Sequence, residues 1–265
     1  MHIRKKKWAR PELEACPFYE PAGEWRRGHW REAFARPEQP LQLEMGCGKG
    51  VSTAQMVAAN PEINYVVVDI SPDVLGDTRR NLVSACGGEP ENVFILLADI
   101  CLIDHYFDRE DGPERIHISF CNPWTERPKH EKRRLTHPRQ LIQYRKILRP
   151  GGEIWFKTDD DSLYADSLVY FDLCGFEPVY QTGNLRASGF QPNYISEHER
   201  KYMALGVPIK FGIFRMTDRE PSFDPTRFRM TPGLRRRAVL PDPGGKPDAS
   251  VENSGVFREI PLAEA

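Results

Sequence analysis

The sequence lacks the features that would place it in a membrane or in an oxidising compartment. No apolar run approaches the roughly eighteen residues that a membrane helix requires. The basic start of the chain has no apolar stretch behind it, which argues against a signal peptide. The six cysteines include no C-x-x-C pair, which favours free thiols in a reducing cytosol over a zinc site. We therefore expect a cytoplasmic protein with no membrane association and no metal.

The net charge of only −1 hides a strong segregation of basic residues. Three stretches are basic, at 4–10, 127–149 and 227–237, and the middle one opposes nine Lys and Arg residues to the single acid Glu131. A charge run is usually a solvated helix face, but this one lacks the Glu–Lys alternation of a self-paired helix. We therefore expect a local basic face that binds the phosphate backbone of a nucleic acid.

The chain also lacks both common glycine motifs for phosphate groups. Three glycines occupy alternate positions in Leu41–Gly50, after an apolar-alternating run that includes Glu44. A dinucleotide fingerprint would need a glycine where Val51 stands, and a phosphate loop would need Ser or Thr where Gly50 stands. The stretch still predicts a strand, a tight turn and the start of a helix, because glycine allows positive φ and close approach of a ligand.

A second strand pattern, at 64–68, ends in Asp69, about twenty residues after the glycines. In nucleotide-binding α/β folds a carboxylate at this place holds ribose hydroxyls. The pattern E-x-G-x-G-x-G that begins at Glu44 resembles motif I of S-adenosylmethionine-dependent methyltransferases. That ligand has no pyrophosphate, its ammonium group suits Glu44, and its ribose suits Asp69. An ordinary glycine turn is the alternative, and the two acidic strand ends disfavour it.

Strand and helix patterns alternate from Leu41 onward, which predicts an α/β fold with a doubly wound, mostly parallel, seven-stranded sheet. Strands are expected at 41–45, 64–70, 92–98, 115–121, 153–158, 177–181 and 209–216. Helices are expected near 30–34 and at 51–59, 72–86, 138–148 and 162–174. The domains expected are a basic N-terminal lead-in at 1–40, a methyltransferase domain at 41–218, and a Pro/Arg-rich, disordered tail at 219–265.

Polar residues directly follow five of the predicted strands. In an open parallel sheet the ligand lies outside the carboxyl ends of the strands, so these residues should meet at one edge. Five such residues in register are hard to explain by chance. They are Glu44, Asp69, Asp99, Asn122 and Asp159.

Several motifs in order resemble the bacterial tRNA (guanine-N7)-methyltransferase family, over about residues 1–216. The start at 4–9 is similar to R-x-K-x-W-A, 44–50 to E-x-G-x-G-K-G, and 157–159 to K-T-D. Asn122-Pro123-Trp124 with 130–135 is similar to the diagnostic D-P-W-P-K-x-R-H-x-K-R-R-L. Segments 196–199 and 204–209 stand where the family has T-x-[YF]-E and G-x-P-I.

The resemblance implies a class I methyltransferase that transfers a methyl group from S-adenosylmethionine to N7 of a guanine in tRNA. It gives the catalytic position to Asn122. The implied cofactor contacts are Glu44, Gly46, Gly48, Asp69, Asp99 and Asn122. The implied substrate contacts are Asp159, Ser196, Glu197, His198 and Glu199. The implied tRNA phosphate contacts, which read no sequence, are Lys132, Arg133 and Arg134.

The chain departs from the family pattern at the substrate side. Asn122 replaces an aspartate, Glu126 reverses a charge in a segment one residue longer, and His198 replaces Tyr or Phe. Guanine N7 carries a lone pair and no proton, so its methylation needs alignment and charge stabilisation but no general base. The asparagine also resembles the N-P-P-Y motif of enzymes that methylate amide or amine nitrogens. A paralogue acting on another nitrogen in RNA or protein, or a catalytically weak RNA-binding relative, therefore stays open.

Tryptophan and cysteine residues near the expected site have simpler explanations. Trp8, Trp25 and Trp30 are expected to pack against the domain, because Trp is usually buried. Cys121 is expected to fill the end of its strand, since no cation that would activate its thiol is identifiable.

Overall fold

A central eight-stranded sheet organises the computed structural model of the protein, which describes residues 5–221, 223–225 and 227–241. The strands are β1 Tyr19–Glu20, β2 Leu41–Met45, β3 Asn64–Asp69, β4 Val93–Leu97, β5 Arg115–Ser119, β6 Glu153–Thr158, β7 Phe176–Thr182 and β8 Lys210–Met216. Their order in the sheet is β1-β4-β3-β2-β5-β6-β8-β7. Strands β1 to β6 pair in parallel, and β8 runs antiparallel to both β6 and β7.

Helices connect the strands, and the four longest match predicted helices to within one residue. They are α1 Ala9–Glu14, α2 Val51–Ala59, α3 Pro72–Cys86, α4 Pro138–Ile147, α5 Asp161–Leu173, α6 Leu185–Ser188, α7 Glu197–Ala204 and α8 Pro232–Arg235. Short 3₁₀ helices lie at Gly23–Arg26, Arg31–Ala33, Ile100–His105 and Pro128–Arg133. Helix α3 has a proline in its first turn and ends at Gly87 with φ 71°, which are the usual start and stop signals. In the described residues no helix is long and apolar enough to cross a membrane.

The doubly wound parallel arrangement is confirmed, and the strand count differs by one. The pair Tyr19–Glu20 adds an edge strand parallel to β4 and opposite Ile95 and Leu96. Two residues are too short for the alternation that identifies a strand in a sequence. The N-terminal region therefore contributes to the core, and Trp30 there is fully buried and stacked on Phe107 at 5.1 Å.

The alternation of side chains along the strands divides the core between the two faces of the sheet. Val67 of β3 packs with helices α2 and α3, whereas its neighbours Val66 and Val68 pack with α4 and α5. Strand β2 lies between β3 and β5. On one side of β2 the sheet continues through β3 and β4, and on the other side it continues through β5 and β6. This is the switch point at which an open α/β sheet forms a crevice for a ligand.

The predicted disordered tail is partly ordered. We call residues 227–241 the C-terminal strap. The Phe228 ring packs edge-on against Tyr170 at 5.6 Å and His137 at 5.7 Å, and Thr231 caps α8. Aromatic and arginine side chains give this segment partners that its composition did not indicate. The rest of the predicted tail, 242–265, and Arg4 of the predicted basic start lie outside the described residues.

Candidate active site

The glycine loop after β2 has the predicted geometry. Gly46, Gly48 and Gly50 have φ values of 81°, 57° and 69°, which only glycine adopts readily. A Cβ atom at Gly50 would also lie 2.5 Å from Cγ2 of Thr78 in α3, so this position lacks room for a side chain. The Thr78 hydroxyl donates to the Gly48 carbonyl at 2.6 Å. Helix α3 therefore packs against the glycine loop and fixes its conformation.

Asp69 at the end of β3 lies beside this loop, as predicted. Its Oδ2 accepts the Gly48 N–H at 3.1 Å, and its Oδ1 accepts the Ser71 N–H at 2.9 Å. Burial raises the pKa of the Asp69 carboxyl, and the backbone donors oppose this shift. Each carboxylate oxygen has a second lone pair. The group can therefore still accept hydrogen bonds from the two hydroxyls of a ribose.

A cavity of about 450 Å³ opens beside Asp69 at the carboxyl edge of the sheet. Its volume lies in the usual range of small-molecule sites. The structure brings together here four residues that the sequence predicts as cofactor contacts: Gly46, Asp69, Asp99 and Asn122. The remaining lining residues are Met45, Ile70, Ile100, Cys101, Cys121, Trp124, Arg133 and Leu135.

The apolar lining of this cavity was missed by the sequence analysis. Ile70 is 64% exposed although it is a large aliphatic residue, and Ile100 lies near it in the cavity wall. Both directly follow the acidic strand ends, Asp69 and Asp99, which is the signal that would have found them. Such side chains suit the faces of a flat aromatic base.

Glu44 faces the other side of the sheet from this cavity. Its side chain is 4% exposed, and its Oε2 accepts the Thr53 hydroxyl of α2 at 2.5 Å. It lines a separate inner cavity of about 80 Å³ together with His117 and Lys157. Burial raises the pKa of the Glu44 carboxyl. The structure shows that Glu44 fixes the start of α2, and its contact with an ammonium group stays a prediction.

The turn that carries Asn122 is unusual in its backbone. Phe120 and Trp124, on either side, have φ values of 53° and 48°, which bulky residues rarely adopt. The Asn122 Oδ1 accepts the Trp124 N–H at 2.9 Å, which stabilises the turn. Strained positions of this kind cluster at functional sites. Burial raises the pKa of the adjacent Cys121 thiol to about 12, so the thiol stays protonated and fills space as predicted.

Arg134 contradicts the prediction that it binds tRNA phosphates. It is 3% exposed, its Nη1 donates to Asp166 Oδ2 at 2.7 Å, and its Nε donates to the Pro123 carbonyl at 2.6 Å. The guanidinium turns inward because the buried Asp166 carboxylate requires a positive partner. Its neighbour Arg133 is exposed and lies 5.1 Å from the Trp124 ring.

The predicted basic run divides into two functionally different halves. Arg145 donates to backbone carbonyls, Lys146 pairs with Asp104, and Arg149 pairs with Glu114. These side chains therefore have partners within the protein. Other cations of the run are exposed and have no ion-pair partner in the part of the chain that the structure describes: Arg127, Lys129, Lys132, Arg133 and Arg139.

The late motif 196–199 contains two structural residues. Ser196 caps α7 by accepting the Glu199 N–H at 3.0 Å. The Glu199 carboxylate is 1% exposed and accepts from Lys157 Nζ at 2.7 Å and from Asn193 Nδ2 at 2.8 Å. Direct contact of Glu199 with a substrate is therefore contradicted. This ion pair instead fastens α7 to the sheet.

The other predicted substrate residues lie together near the glycine loop. His198 Nε2 lies 3.0 Å from Asp159 Oδ1, and its ring is 4.8 Å from the Phe120 ring. Glu197 pairs with Lys49 of the glycine loop at 2.7 Å. All of these side chains reach solvent, so they are available to a substrate. No cluster of three or more His, Cys, Asp or Glu residues within the described ranges fits a metal ion.

The parallel sheet with its glycine loop and strand-end carboxylates defines a Rossmann-like class I methyltransferase fold. A solved structure with this fold is the 16S rRNA methyltransferase KamB, at a TM-score of 0.50 and 14% identity. The match covers 71% of this chain and 90% of that one.

Sequence comparison identifies the family. A family model described as a putative methyltransferase matches residues 38–211. The tRNA (guanine-N(7)-)-methyltransferase of Clostridium perfringens (strain SM101 / Type A) is 46% identical over 214 residues, which are 80% of this chain and 97% of that protein. The enzyme of the same name from Clostridium botulinum (strain Eklund 17B / Type B) is 47% identical over the same shares. The chain belongs to the tRNA (guanine-N7)-methyltransferase family.

Proposed function

We propose that this protein transfers the methyl group of S-adenosylmethionine to N7 of a guanine in tRNA, in the cytoplasm and without a metal. The observation that carries the proposal is the 450 Å³ cavity that gathers Gly46, Asp69, Asp99 and Asn122, with the exposed Arg133 in its wall. We place the catalytic domain at residues 41–218. Bound S-adenosylmethionine supplies a methyl group on a sulfonium cation.

The residues of the cavity fit this cofactor in a definite orientation. Asp69 accepts the ribose hydroxyls with the lone pairs that Gly48 and Ser71 leave free. Ile70 and Ile100 would supply apolar contacts for the adenine, and Asp99 would offer it a polar contact. The glycine loop would lie beside the amino-acid end, and Glu44 would attract its ammonium group.

The protein's task in this reaction is alignment and electrostatics. Methylation at N7 creates a cationic purine, so negative groups near the base stabilise the product. Asn122 offers no charge, and we assign this role to Asp159, whose carboxylate is held by His198. The exposed cations Lys132 and Arg133 hold the tRNA backbone near the cavity.

The structure offers no observation that favours methylation of an amide or amine nitrogen. That chemistry needs the Asn122 carbonyl oxygen to accept from the nucleophile; this oxygen accepts the Trp124 N–H with one of its two lone pairs and keeps the second. The contact gives Asn122 a role in forming the turn, and the Asn122→Asp variant decides between the two nucleophiles.

The test is methyl transfer to unmodified tRNA, with the methylated nucleoside identified by mass. Wild-type protein should yield N7-methylguanosine. Asn122→Asp retains the acceptor for the Trp124 N–H and restores a negative charge, so turnover should rise. One electrostatic contact is worth up to about two to three orders of magnitude in rate. Inactivity of both proteins on tRNA would defeat the proposed function, and a fall in turnover with aspartate would indicate an N–H nucleophile.

A further inference from the structure

Arg235 of the C-terminal strap contacts both helix α5 and the loop beside the cofactor cavity. The family model ends at residue 211, so the strap lies outside it. Arg235 Nε donates to Asp166 Oδ1 at 2.9 Å, and its Nη2 donates to Glu131 Oε1 at 2.7 Å and to Asp166 Oδ2 at 3.1 Å. One guanidinium therefore joins helix α5 to the 3₁₀ helix Pro128–Arg133.

Asp166 is the centre of this cluster. Its side chain is only 5% exposed, and it accepts hydrogen bonds from Arg134 and from Arg235. A buried carboxylate needs such partners, because an unpaired charge is costly away from water. The planar fork of Arg235 can serve two carboxylates at once, which a lysine ammonium does not do in the same geometry. The Asp166 carboxylate of helix α5 thus joins this helix to Arg134 and to the C-terminal strap.

The loop that is held in this way has a direct connection to the candidate site. Residues 122–134, which we call the basic loop, contribute Asn122, Trp124 and Arg133 to the cofactor cavity. The loop also carries exposed cations assigned to tRNA. A 3₁₀ helix of six residues has little stability of its own. Glu131 lies in the middle of this helix. Among the residues that the structure describes, its one ion-pair partner is Arg235.

We propose that Arg235 is a positioning residue that holds the basic loop in the arrangement that binds tRNA. It acts through Glu131 and Asp166 and does not touch the substrate. The assignment of the loop to tRNA rests on the proposed function, whereas the brace itself is a property of the folded chain. The C-terminal strap then contributes to tRNA binding, because it holds the basic loop in place.

The neighbouring arginine provides a matched control. Arg236 is exposed and has no ion-pair partner in the described ranges. Arg235→Ala and Arg236→Ala remove the same charge from the same turn, but only the first removes the bridge. If the strap merely attracted phosphates, both variants would weaken tRNA binding to the same degree.

The experiment measures two properties of each full-length variant. The first is the KM for tRNA with kcat determined separately, and the second is amide hydrogen exchange of residues 129–134 without tRNA. Arg235→Ala should raise the KM about tenfold, as expected for loss of a charged hydrogen bond, and should speed exchange in the loop. Arg236→Ala should change the KM less than about twofold and leave exchange unaltered.

Two further variants separate the bridge from its charge. Glu131→Gln should reproduce part of the faster exchange, and the double variant Arg235→Ala/Glu131→Gln should be no worse than Arg235→Ala alone, because that variant already removes the contact with Glu131. Arg235→Lys keeps the charge and loses the fork, so its KM should stay close to that of Arg235→Ala.

Several results would overturn the proposal. Equal KM increases for Arg235→Ala and Arg236→Ala with unchanged loop exchange would make the strap a phosphate-binding surface. Full rescue by Arg235→Lys would do the same. A wild-type protein that is inactive on tRNA would remove the proposed function only, because hydrogen exchange still reports whether Arg235 holds the loop.

Discussion

The glycine loop and the basic loop lie at the same edge of the sheet but are stabilised by different forces. Backbone geometry and short hydrogen bonds hold the glycine loop, as the Thr78 hydroxyl and the Gly48 carbonyl show. Ion pairs hold the basic loop, through Arg134 and Arg235 on the shared carboxylate of Asp166. The loop proposed to hold the cofactor therefore depends on backbone geometry, whereas the loop proposed to bind tRNA depends on a small cluster of charges.

The largest effect should come from removing the inner cation of that cluster. Arg134→Met leaves the Asp166 carboxylate buried with only the half-exposed Arg235 as partner, so the free energy of unfolding should fall by about 3–5 kcal/mol. Denaturant unfolding followed by two optical probes measures this. The control Arg133→Met alters an exposed side chain and should stay within about 0.5 kcal/mol of the wild type. Equal losses of unfolding free energy in the two variants would show that Arg134 contributes no more to stability than Arg133.

Acid should weaken the region after the basic loop. Burial lowers the pKa of His137 to about 4 from 6.5. Between those values the unfolded chain binds more protons, so the contribution of His137 to stability is complete above pH 6.5 and is lost as the pH falls toward 4. This loss lowers the free energy of unfolding by an amount that approaches about 3 kcal/mol. His137→Asn keeps an acceptor for the Arg139 N–H at the start of α4 and should flatten this part of the pH profile. An unchanged slope would assign the acid sensitivity to other groups.

Removing the Asp69 carboxylate beside the glycine loop should weaken the binding of S-adenosylmethionine. Asp69→Ala removes the proposed ribose acceptor, and S-adenosylmethionine should bind about tenfold more weakly or worse, since hydrogen bonds to a charged group are worth about 1.5–3 kcal/mol. Calorimetric titration measures the affinity. Asp73→Ala, which removes a nearby carboxylate that binds Lys6, is the control and should leave it unchanged. Identical affinities for wild type and Asp69→Ala would reject the ribose assignment.

The smallest effect concerns the exposed cations of the basic loop. Replacing Lys132 and Arg133 by Ala should leave stability nearly unchanged and should flatten the log–log salt dependence of tRNA binding by roughly 0.7–0.9 for each lost phosphate contact. Lys146→Ala, which removes a cation paired with Asp104, should retain the wild-type slope. A wild-type slope in the double variant would make this part of the loop an ordinary solvated face.

Sequence reasoning succeeded where the deciding information is local. The seven predicted strands follow from apolar periodicity, and the meeting of Asp69, Asp99 and Asn122 follows from their places after parallel strands. The β1 pair Tyr19–Glu20 was too short to give a pattern. Its pairing with β4 depends on residues more than seventy positions away.

The sequence could not separate exposed charges from buried ones of the same type. Arg133 and Arg134 are adjacent and chemically identical, and Asp166, more than thirty positions later, decides which one turns inward. Glu199 likewise becomes structural because Lys157 of β6 lies beneath it. Such pairings arise from tertiary packing, which one sequence without its fold does not display.

The ion pair of Lys157 with Glu199 also bears on how freely the side chain at position 198 can change. Because it fixes α7 from below, the backbone at position 198 keeps its place whichever side chain it carries. His198 is largely exposed, stacks on Tyr202 at 4.4 Å and faces Phe120. A change of side chain at position 198 should therefore cost the fold little. Such a change would alter the surroundings of the Asp159 carboxylate and leave α7 in place.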